Sequence, residues 1–506
     1  MGFLCRGSPL LCSKNVDIIE KVTKTYAKIM EKVTKIYIKI MEKVTNVCLY
    51  QRFSVPLQKK INIYTMLQRK FAKFLEAFLS ENQNKILLVN GARQIGKSFI
   101  IRHVGSQLFP NFIEIDLRAD SENEQLFADV TSVDSFYLQL SAFAGNRLGE
   151  KQDTLIFLDE IQVYPRLLTL LKFLNQDNRF TYIASGSQLG VALSQTPSVP
   201  LGSILIKQMY PLDLEEFFWA MGVGEEAINT ARTCFQNQQA LPEKLHSRFM
   251  HIFKYYLLTG GLPDAVNQFL KDKNIQRMRD IQKDIHALYG IDASQYDQQN
   301  RLKIRRVYDL IPSNLENKKK RVMVNRIENK KGKQFSDYEY EFDYLVQSGI
   351  ALQIEAISNP CFPLLQSVKK SLLKLYLNDV GILTALLYQN NINAVLNDEC
   401  SINLGTVYEA VVAQELRAHG FDLYYYDNKQ HGEVDFLIDN YSTLSVVPLE
   451  IKSGKDYYVH SALNHFVSNK EYGIQHAVVL SNNGEVLKKD KITYMPIYYV
   501  MFIMPN

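Results

Sequence analysis

Nowhere in the 506 residues is there a run of about 18 uninterrupted apolar residues, so no membrane-spanning helix and no membrane partner are expected. Cysteine is sparse and scattered, at Cys5, Cys12, Cys48, Cys234, Cys361 and Cys400, with no C-x-x-C pair. That argues against a zinc site or a disulfide framework and fits a reducing, cytoplasmic setting. The opening "MGFLCRGSPLLCSK" lacks the sustained apolar core of a secretory signal. A general surplus of charge is also missing. Residues 1–65 hold twelve Lys/Arg against four Asp/Glu, or +8, which leaves −3 for the rest of a chain whose total is +5. Overall basicity is therefore no sign of nucleic-acid binding, and only local patches count.

What is present begins with "EKVTKTYAKIM", "EKVTKIYIKIM" and "EKVTNV", an eleven-residue repeat from Glu20 to Val47. Val22, Tyr26, Ile29, Val33, Tyr37 and Ile40 fall three or four apart, so a helix here has one apolar stripe and a lysine-rich opposite face. Such a face suits an anionic surface or a second helix. The preferred reading is a tandem repeat translated upstream of a true start at Met66, where "MLQRKFAKFLEAFLSENQNK" reads as an ordinary first helix.

"KILLVNGARQIGKSFIIRHVG" places an apolar strand, then a glycine-framed loop, then an amphipathic helix. The loop Gly91, Ala92, Arg93, Gln94, Ile95, Gly96, Lys97, Ser98 satisfies G-x-x-x-x-G-K-[ST], with Phe99 leading into the helix. Backbone N–H groups and the helix N-terminus then cradle a triphosphate. Lys97 reaches the β- and γ-phosphates, and the Ser98 hydroxyl helps hold Mg²⁺. "DTLIFLDEIQ" supplies a buried strand ending in adjacent carboxylates. Asp159 is expected to hold Mg²⁺ through water and Glu160 to polarise the attacking water. "FTYIAS" is another strand, and Ser185 and Ser187 at its tip are equal candidates for sensing the γ-phosphate. The β-α alternation implies a parallel sheet with nucleotide at its C-terminal edge.

Further on, "YPLDLEEFF" has helix spacing, with Glu215 and Glu216 expected on its wet face, and "GGLP" reads as a turn between lid helices. With "NGARQIGKS", "LIFLDEIQ" and "IASGSQ", these segments and "YYLLTGGLPDAV" follow the order seen in a group of bacterial and archaeal AAA+-like ATPases. "KLYLNDVGIL" and "GTVYEAVVAQEL" resemble the C-terminal domain of unknown function found in that group. The resemblance runs from about Met66 to the end and implies ATP as the nucleotide. Gly202-Ser203 stands where the group commonly has Gly-Arg, which implies impaired hydrolysis if that arginine normally touches phosphate or a neighbouring subunit.

Between residues 300 and 358 the outline is helix, short helix, helix and hairpin, like a winged helix-turn-helix, which the resemblance also suggests. The expected recognition helix carries Asp337, Glu339, Glu341 and Asp343, which repel phosphate. Only the basic run "NKKKRVMVNRIENKKGK" suits a nucleic-acid backbone. In the last hundred residues Glu409 lies on an amphipathic helix, Asp435 on "GEVDFLID", and Glu450 and Lys452, two apart and so on one face, on "SVVPLEIKSG". Helix-borne Glu, then Asp, then Glu-x-Lys across a three-strand sheet is the arrangement of the PD-(D/E)XK nuclease fold. There Asp435 and Glu450 bind Mg²⁺, and Lys452 helps activate water. The bland alternative is a Glu450–Lys452 surface pair on an edge strand.

The expected architecture is thus α/β. Its parts are a leader over 1–65, a P-loop NTPase (AAA+-like) parallel-sheet core over 66–222, a helical lid over 223–299, a winged-helix-like region over 300–400 and a restriction-endonuclease-like domain over 401–506. The expected function is ATP hydrolysis that rearranges the C-terminal domains on nucleic acid, with DNA the expected partner and a homo-oligomer the expected assembly. The competing expectation is a nucleotide-gated interaction protein with an inactive nuclease-like scaffold.

Overall fold

A computed structural model describes residues 66–506 except 82–83, 196–201, 296–299, 398–401, 429, 431, 455–456 and 506. The eleven-residue repeats lie outside the described residues. Residues Met66–Asn506 form one compact unit. Among the described residues, no helix is long and apolar enough to cross a membrane.

Helix α1 (Lys70–Ser80) buries Phe71, Leu75 and Phe78, spaced three and four apart, and leaves Lys73 outward. Five strands follow: β1 (Ile86–Asn90), β2 (Asn111–Asp116), β3 (Thr154–Asp159), β4 (Thr181–Gly186) and β5 (Ile204–Gln208). They pair in parallel in the order β2-β3-β4-β1-β5. Strands β1 and β3 are buried along their whole length, as expected where helices cover both faces. Helix α2 (Lys97–Leu108) starts at the tip of β1, so the glycine-framed loop lies at the C-terminal edge of the sheet beside the ends of β3 and β4. Ser203, in contrast, precedes β5, and its carbonyl accepts from Ile86 N–H at 2.9 Å. An arginine at that position would sit on the opposite edge from the loop of its own chain.

Helix α3 (Leu214–Ala220) ends the core region, and helices α4 (Glu225–Gln236), α5 (Glu243–Thr259), α6 (Pro263–Asp272) and α7 (Ile275–Gln295) occupy the stretch expected as the lid. The wet face expected for α3 is not there. Glu215 is 3% and Glu216 4% exposed, because the basic side chains of Arg69, Lys70 and Arg232 reach them inside the protein. Tyr256 is core, its hydroxyl bonded to Leu212 O at 2.7 Å.

Helices α8 (Arg301–Leu315), α9 (Val324–Ile327) and α10 (Glu339–Gln347) lead into the hairpin β6 (Ala351–Ile357) and β7 (Val368–Leu377). The expected order of elements is present, but the hairpin is no free wing. Strand β6 also pairs in parallel with β8 (Tyr424–Asn428), which joins the hairpin to the C-terminal sheet. That mixed sheet runs β12-β13-β11-β10-β9-β8-β6-β7 and so crosses residue 400. Its other members are β9 (Gly432–Asn440), β10 (Ser445–Lys452), β11 (Ala477–Ser481), β12 (Leu487–Lys489) and β13 (Ile492–Pro496). Helices α11 (Val380–Tyr388) and α12 (Leu404–Ala418) lie between its two halves in sequence.

Asp379 ties α11 to the turn at Gly260-Gly261. It caps α11 by accepting from Ile382 N–H at 3.0 Å and also accepts from Gly261 N–H of the lid turn at 2.7 Å. Gly260 is required there: its φ is +67°, and a Cβ would meet the Asp379 carboxylate at 2.2 Å. Burial pushes the Asp379 carboxyl up to about 6, with the backbone N–H groups holding it back. Replacing it with alanine leaves two buried donors without a partner, so Asp379→Ala should lose about 2–4 kcal/mol of unfolding free energy. Asp379→Asn should retain most of it. Because the folded pKa lies above the unfolded one, this carboxyl's contribution is full below about pH 4 and is lost as pH rises through 6. Urea melts across that range should show the parent losing up to about 3 kcal/mol relative to Asp379→Asn. Parallel pH profiles would refute this.

Candidate nucleotide site and C-terminal acidic cleft

The loop after β1 is shaped by glycines. At Gly91 φ is +154° and a Cβ would meet Met209 O at 2.4 Å; at Gly96 φ is +93°. Gln94 is left-handed without being glycine, at φ +62°. Ile95 is buried and packs the loop on the core, whereas Gln94 and Phe99 are exposed, Phe99 lying parallel to the His103 ring. Lys97 is 6% exposed and turns its ammonium onto Gly91 O at 2.9 Å and Ala92 O at 2.8 Å. Burial lowers its pKa to about 8, against the pull of Glu160 and Asp159.

The carboxylates predicted at the tip of β3 stand beside this loop. Asp159 accepts from the hydroxyls of Ser185 and Ser98, which hold its carboxyl down, but burial wins and raises it. Glu160 follows in a left-handed conformation (φ +54°), which swings it away from the strand direction. Its carboxylate accepts from Gln162 Nε2 and from Ser187 Oγ at 3.1 Å. The two candidate serines thus divide: Ser185 serves Asp159, and Ser187 serves Glu160. Arg93 Nε donates to Ser187 Oγ at 3.3 Å, and its NH1 pairs at 2.5 Å with Asp292 of α7. The all-oxygen set of Ser98 and Asp159 fits a hard cation such as Mg²⁺.

Three residues here escaped the sequence reading: Arg69, Tyr289 and Asp292. Arg69 NH1 donates to Ile95 O at 3.0 Å, and the Tyr289 hydroxyl donates to Arg93 O at 2.7 Å. Nothing in their local sequence marks them, since each reaches the loop only through the fold. Arg179 is not near the site; it is exposed, stacked on Tyr137 at 4.0 Å.

In the C-terminal sheet, β10 is an interior strand between β9 and β11, and Glu450 is 5% exposed, which excludes an edge-strand surface pair. The antiparallel register Val447–Ile438 and Leu449–Phe436 leads next to Glu450 beside Asp435. Asp435 Oδ2 accepts from Ile451 N–H at 2.8 Å, and Lys452 Nζ lies 2.8 Å from Glu450 Oε1. Glu409 projects from α12 and is held by Tyr376 OH at 2.9 Å and by the Lys320 ammonium. Burial raises Asp435 far above the usual carboxylate range, with Glu409 and Glu450 adding repulsion. Burial raises Glu450 as well, whereas at Glu409 the attraction of Lys320 and Lys374 overcomes burial and the pKa falls. The four predicted residues therefore stand close enough to interact with one another. Two members of the basic run lie nearby, Lys320 on Glu409 and Arg321, whose Nε donates to Tyr425 OH at 3.0 Å and whose guanidinium pairs with Asp427; Lys374 of β7 pairs with Glu433 at 2.5 Å. Among the described residues, no three His, Cys, Asp or Glu side chains stand so as to hold a metal ion together.

Comparison with known proteins bears on the region that holds the first of these sites. Residues 83–218 match the family model described as an AAA domain. Residues 250–393 and 404–500 match two models, each described as a domain of unknown function (DUF8612 and DUF4143). No curated protein matches the chain. Among solved structures, the Walker-type ATPase of Pyrococcus abyssi aligns at 15% identity over 66% of this chain and 99% of its own, with a TM-score of 0.39. The Thermotoga maritima RuvB Holliday junction branch migration motor aligns at 16% over 56% and 89%, TM-score 0.27. Cdc6p from Pyrobaculum aerophilum aligns at 11% over 67% and 97%, TM-score 0.23. Likenesses of this order do not carry an activity from one chain to another. The glycine-framed loop, the β3 carboxylates and the family match together make the region from β1 to α3 a P-loop ATPase core of the AAA kind.

Proposed function

We propose that this chain binds and hydrolyses ATP at the β1–α2 loop and uses the cycle to shift the lid and the C-terminal half against the ATPase core. The observation that carries this is the meeting of Lys97, Ser98, Asp159 and Glu160 at one edge of a parallel sheet. Lys97, which spends its ammonium on two loop carbonyls, is the group for the β- and γ-phosphates. Ser98 and Asp159 are the residues to hold Mg²⁺, which when bound neutralises phosphate charge. Glu160 orients and polarises the attacking water, and Ser187, already on Glu160, is the better placed of the two serines to respond to the γ-phosphate. Arg93 and Asp292 give the route outward, since the lid helix α7 touches the loop through them.

For the C-terminal cleft the ion pairs favour the scaffold reading over nuclease chemistry. Lys320, Lys374 and Lys452 supply, from within the protein, the positive charge that a metal would otherwise bring to Glu409, Glu433 and Glu450. The same contacts weaken the case for DNA, because Lys320 and Arg321 of the basic run are engaged with protein groups. A protein partner of the C-terminal half fits the charge pattern better.

Lys97→Ala should abolish ATP binding, while Glu160→Gln should leave binding intact and slow hydrolysis by about 100-fold or more. A Glu160→Gln protein that turns over ATP at the parent rate would remove Glu160 from this role. Because phosphate charge favours the protonated lysine, ATP affinity should fall as pH rises above about 8, approaching tenfold per pH unit. Titration of a fluorescent ATP analogue from pH 7 to 10 measures this, and a flat profile would contradict it.

The scaffold reading makes its own forecast. Mg²⁺ or Mn²⁺ should not shift the melting temperature beyond what ATP-site variants explain, and Lys320→Ala should destabilise by about 3 kcal/mol by taking from buried Glu409 its ion-pair partner. A metal-dependent rise in melting temperature that disappears in the double variant Asp435→Ala, Glu450→Ala would overturn it, as would DNA cleavage lost in that variant.

A further inference from the structure

Two side chains outside the phosphate-loop motif hold two of its peptide planes. Arg69 is 6% exposed and makes three bonds: Nε to Glu216 Oε2 at 2.9 Å, NH2 to Tyr210 O at 2.7 Å, and NH1 to Ile95 O at 3.0 Å. Tyr289, 1% exposed on lid helix α7, donates its hydroxyl to Arg93 O at 2.7 Å. In a trans peptide the C=O and the next N–H point in opposite directions. Drawing the Ile95 carbonyl toward Arg69 therefore turns the Gly96 N–H away from Arg69. Drawing the Arg93 carbonyl toward Tyr289 likewise turns the Gln94 N–H away from the lid. Gln94 and Gly96 are also the loop's two left-handed residues after Gly91, at φ +62° and +93°, and alternating handedness of this kind makes a concave row of N–H groups that suits an anion.

We propose that Arg69 and Tyr289 are positioning residues for polyphosphate. Each fixes one peptide plane, so that the Gln94 and Gly96 N–H groups are presented to the phosphate chain of a nucleoside di- or triphosphate. This rests on the ATPase reading of the loop. It adds that the donors are set from outside the motif: Gly96 by the Arg69–Glu216 pair, and Gln94 by the lid. Because Tyr289 shares α7 with Asp292, the partner of Arg93, a displacement of the lid changes both the backbone donor and the charged side chain of the loop.

The test compares the full chain with Tyr289→Phe and Arg69→Lys, measuring the Kd of fluorescent ADP and ATP analogues and the melting temperature without nucleotide. Tyr289→Phe keeps the ring in its pocket and removes only the hydroxyl. The expected result is an increase in Kd of about 5- to 30-fold for ADP and ATP alike in each variant. A purely structural role would lower the melting temperature and leave both Kd values at the parent level, and that outcome overturns the inference. If Arg69→Lys does not fold, Tyr289→Phe decides alone. A parent protein that binds neither nucleotide overturns the ATPase reading and this inference with it, whereas parental binding with unchanged Tyr289→Phe affinity overturns this inference alone.

Discussion

The ion pair between Arg69 and Glu216, both almost wholly out of water, is the constraint on which the arrangement of the described chain turns. Removing two such charges from solvent costs several kcal/mol each, and attraction alone repays this only when the remaining lone pairs and protons are also satisfied. Here they are. Glu216 accepts from Lys70 N–H at 2.6 Å and Asp213 N–H at 3.2 Å, while Arg69 spends its other nitrogens on the Tyr210 and Ile95 carbonyls. Asp213 caps α3 through Glu216 N–H at 2.9 Å, and Glu415 of α12 accepts from Leu214 N–H at 2.8 Å. The buried pair thus fixes the first helix, the glycine-framed loop and helix α3 relative to one another, and the Glu415 bond adds a C-terminal helix. None of these elements can move far without leaving a buried charge or N–H unpaired, so any change in their arrangement is confined to a small set of discrete states.

A second balance of charge governs the C-terminal sheet. Antiparallel register brings Asp435 beside Glu450, and helix α12 adds Glu409 from above, so three carboxylates converge through topology. Left alone they would repel strongly. The chain answers with lysines from three different segments: Lys320 before α9, Lys374 on β7 and Lys452 on β10. Lys374 is 1% exposed and also lies over the Tyr425 ring at 4.5 Å, so its charge is built into the core rather than borrowed from the surface. The carboxylates of this sheet are thus neutralised by side chains of the protein itself.

How much of this was legible beforehand follows from the range of the interactions. The phosphate loop, the β3 carboxylates and the strands around them could be read because each is a local pattern, a short motif between a strand and a helix. Asp435, Glu450 and Lys452 could be read because strand alternation and one short turn set their faces. Glu215 and Glu216 were misplaced on a wet face because helix periodicity says which side a residue occupies and not what covers it. Arg69 and Lys70, far away in sequence, make that side the inside. Tyr289 and Asp292 carried no signal for the same reason: their roles exist only once α7 has folded back over the loop. The hairpin after α10 looked like a wing because its own strands are local, while β8, the parallel partner of β6, starts more than sixty positions after β6 ends, beyond α11 and α12.

The position of Ser203 shows how the same topology limits mechanism. In a parallel sheet every strand delivers its C-terminal end to the nucleotide edge, so a residue preceding a strand lies at the far edge. Ser203 precedes β5 and is tied there by Ile86 N–H. Whatever residue occupies that position, its side chain is a strand's length from the loop of its own chain, and it meets phosphate only if a second copy presents it. Ser203 therefore bears on the far edge of the sheet alone, where it leaves no positive charge at that position.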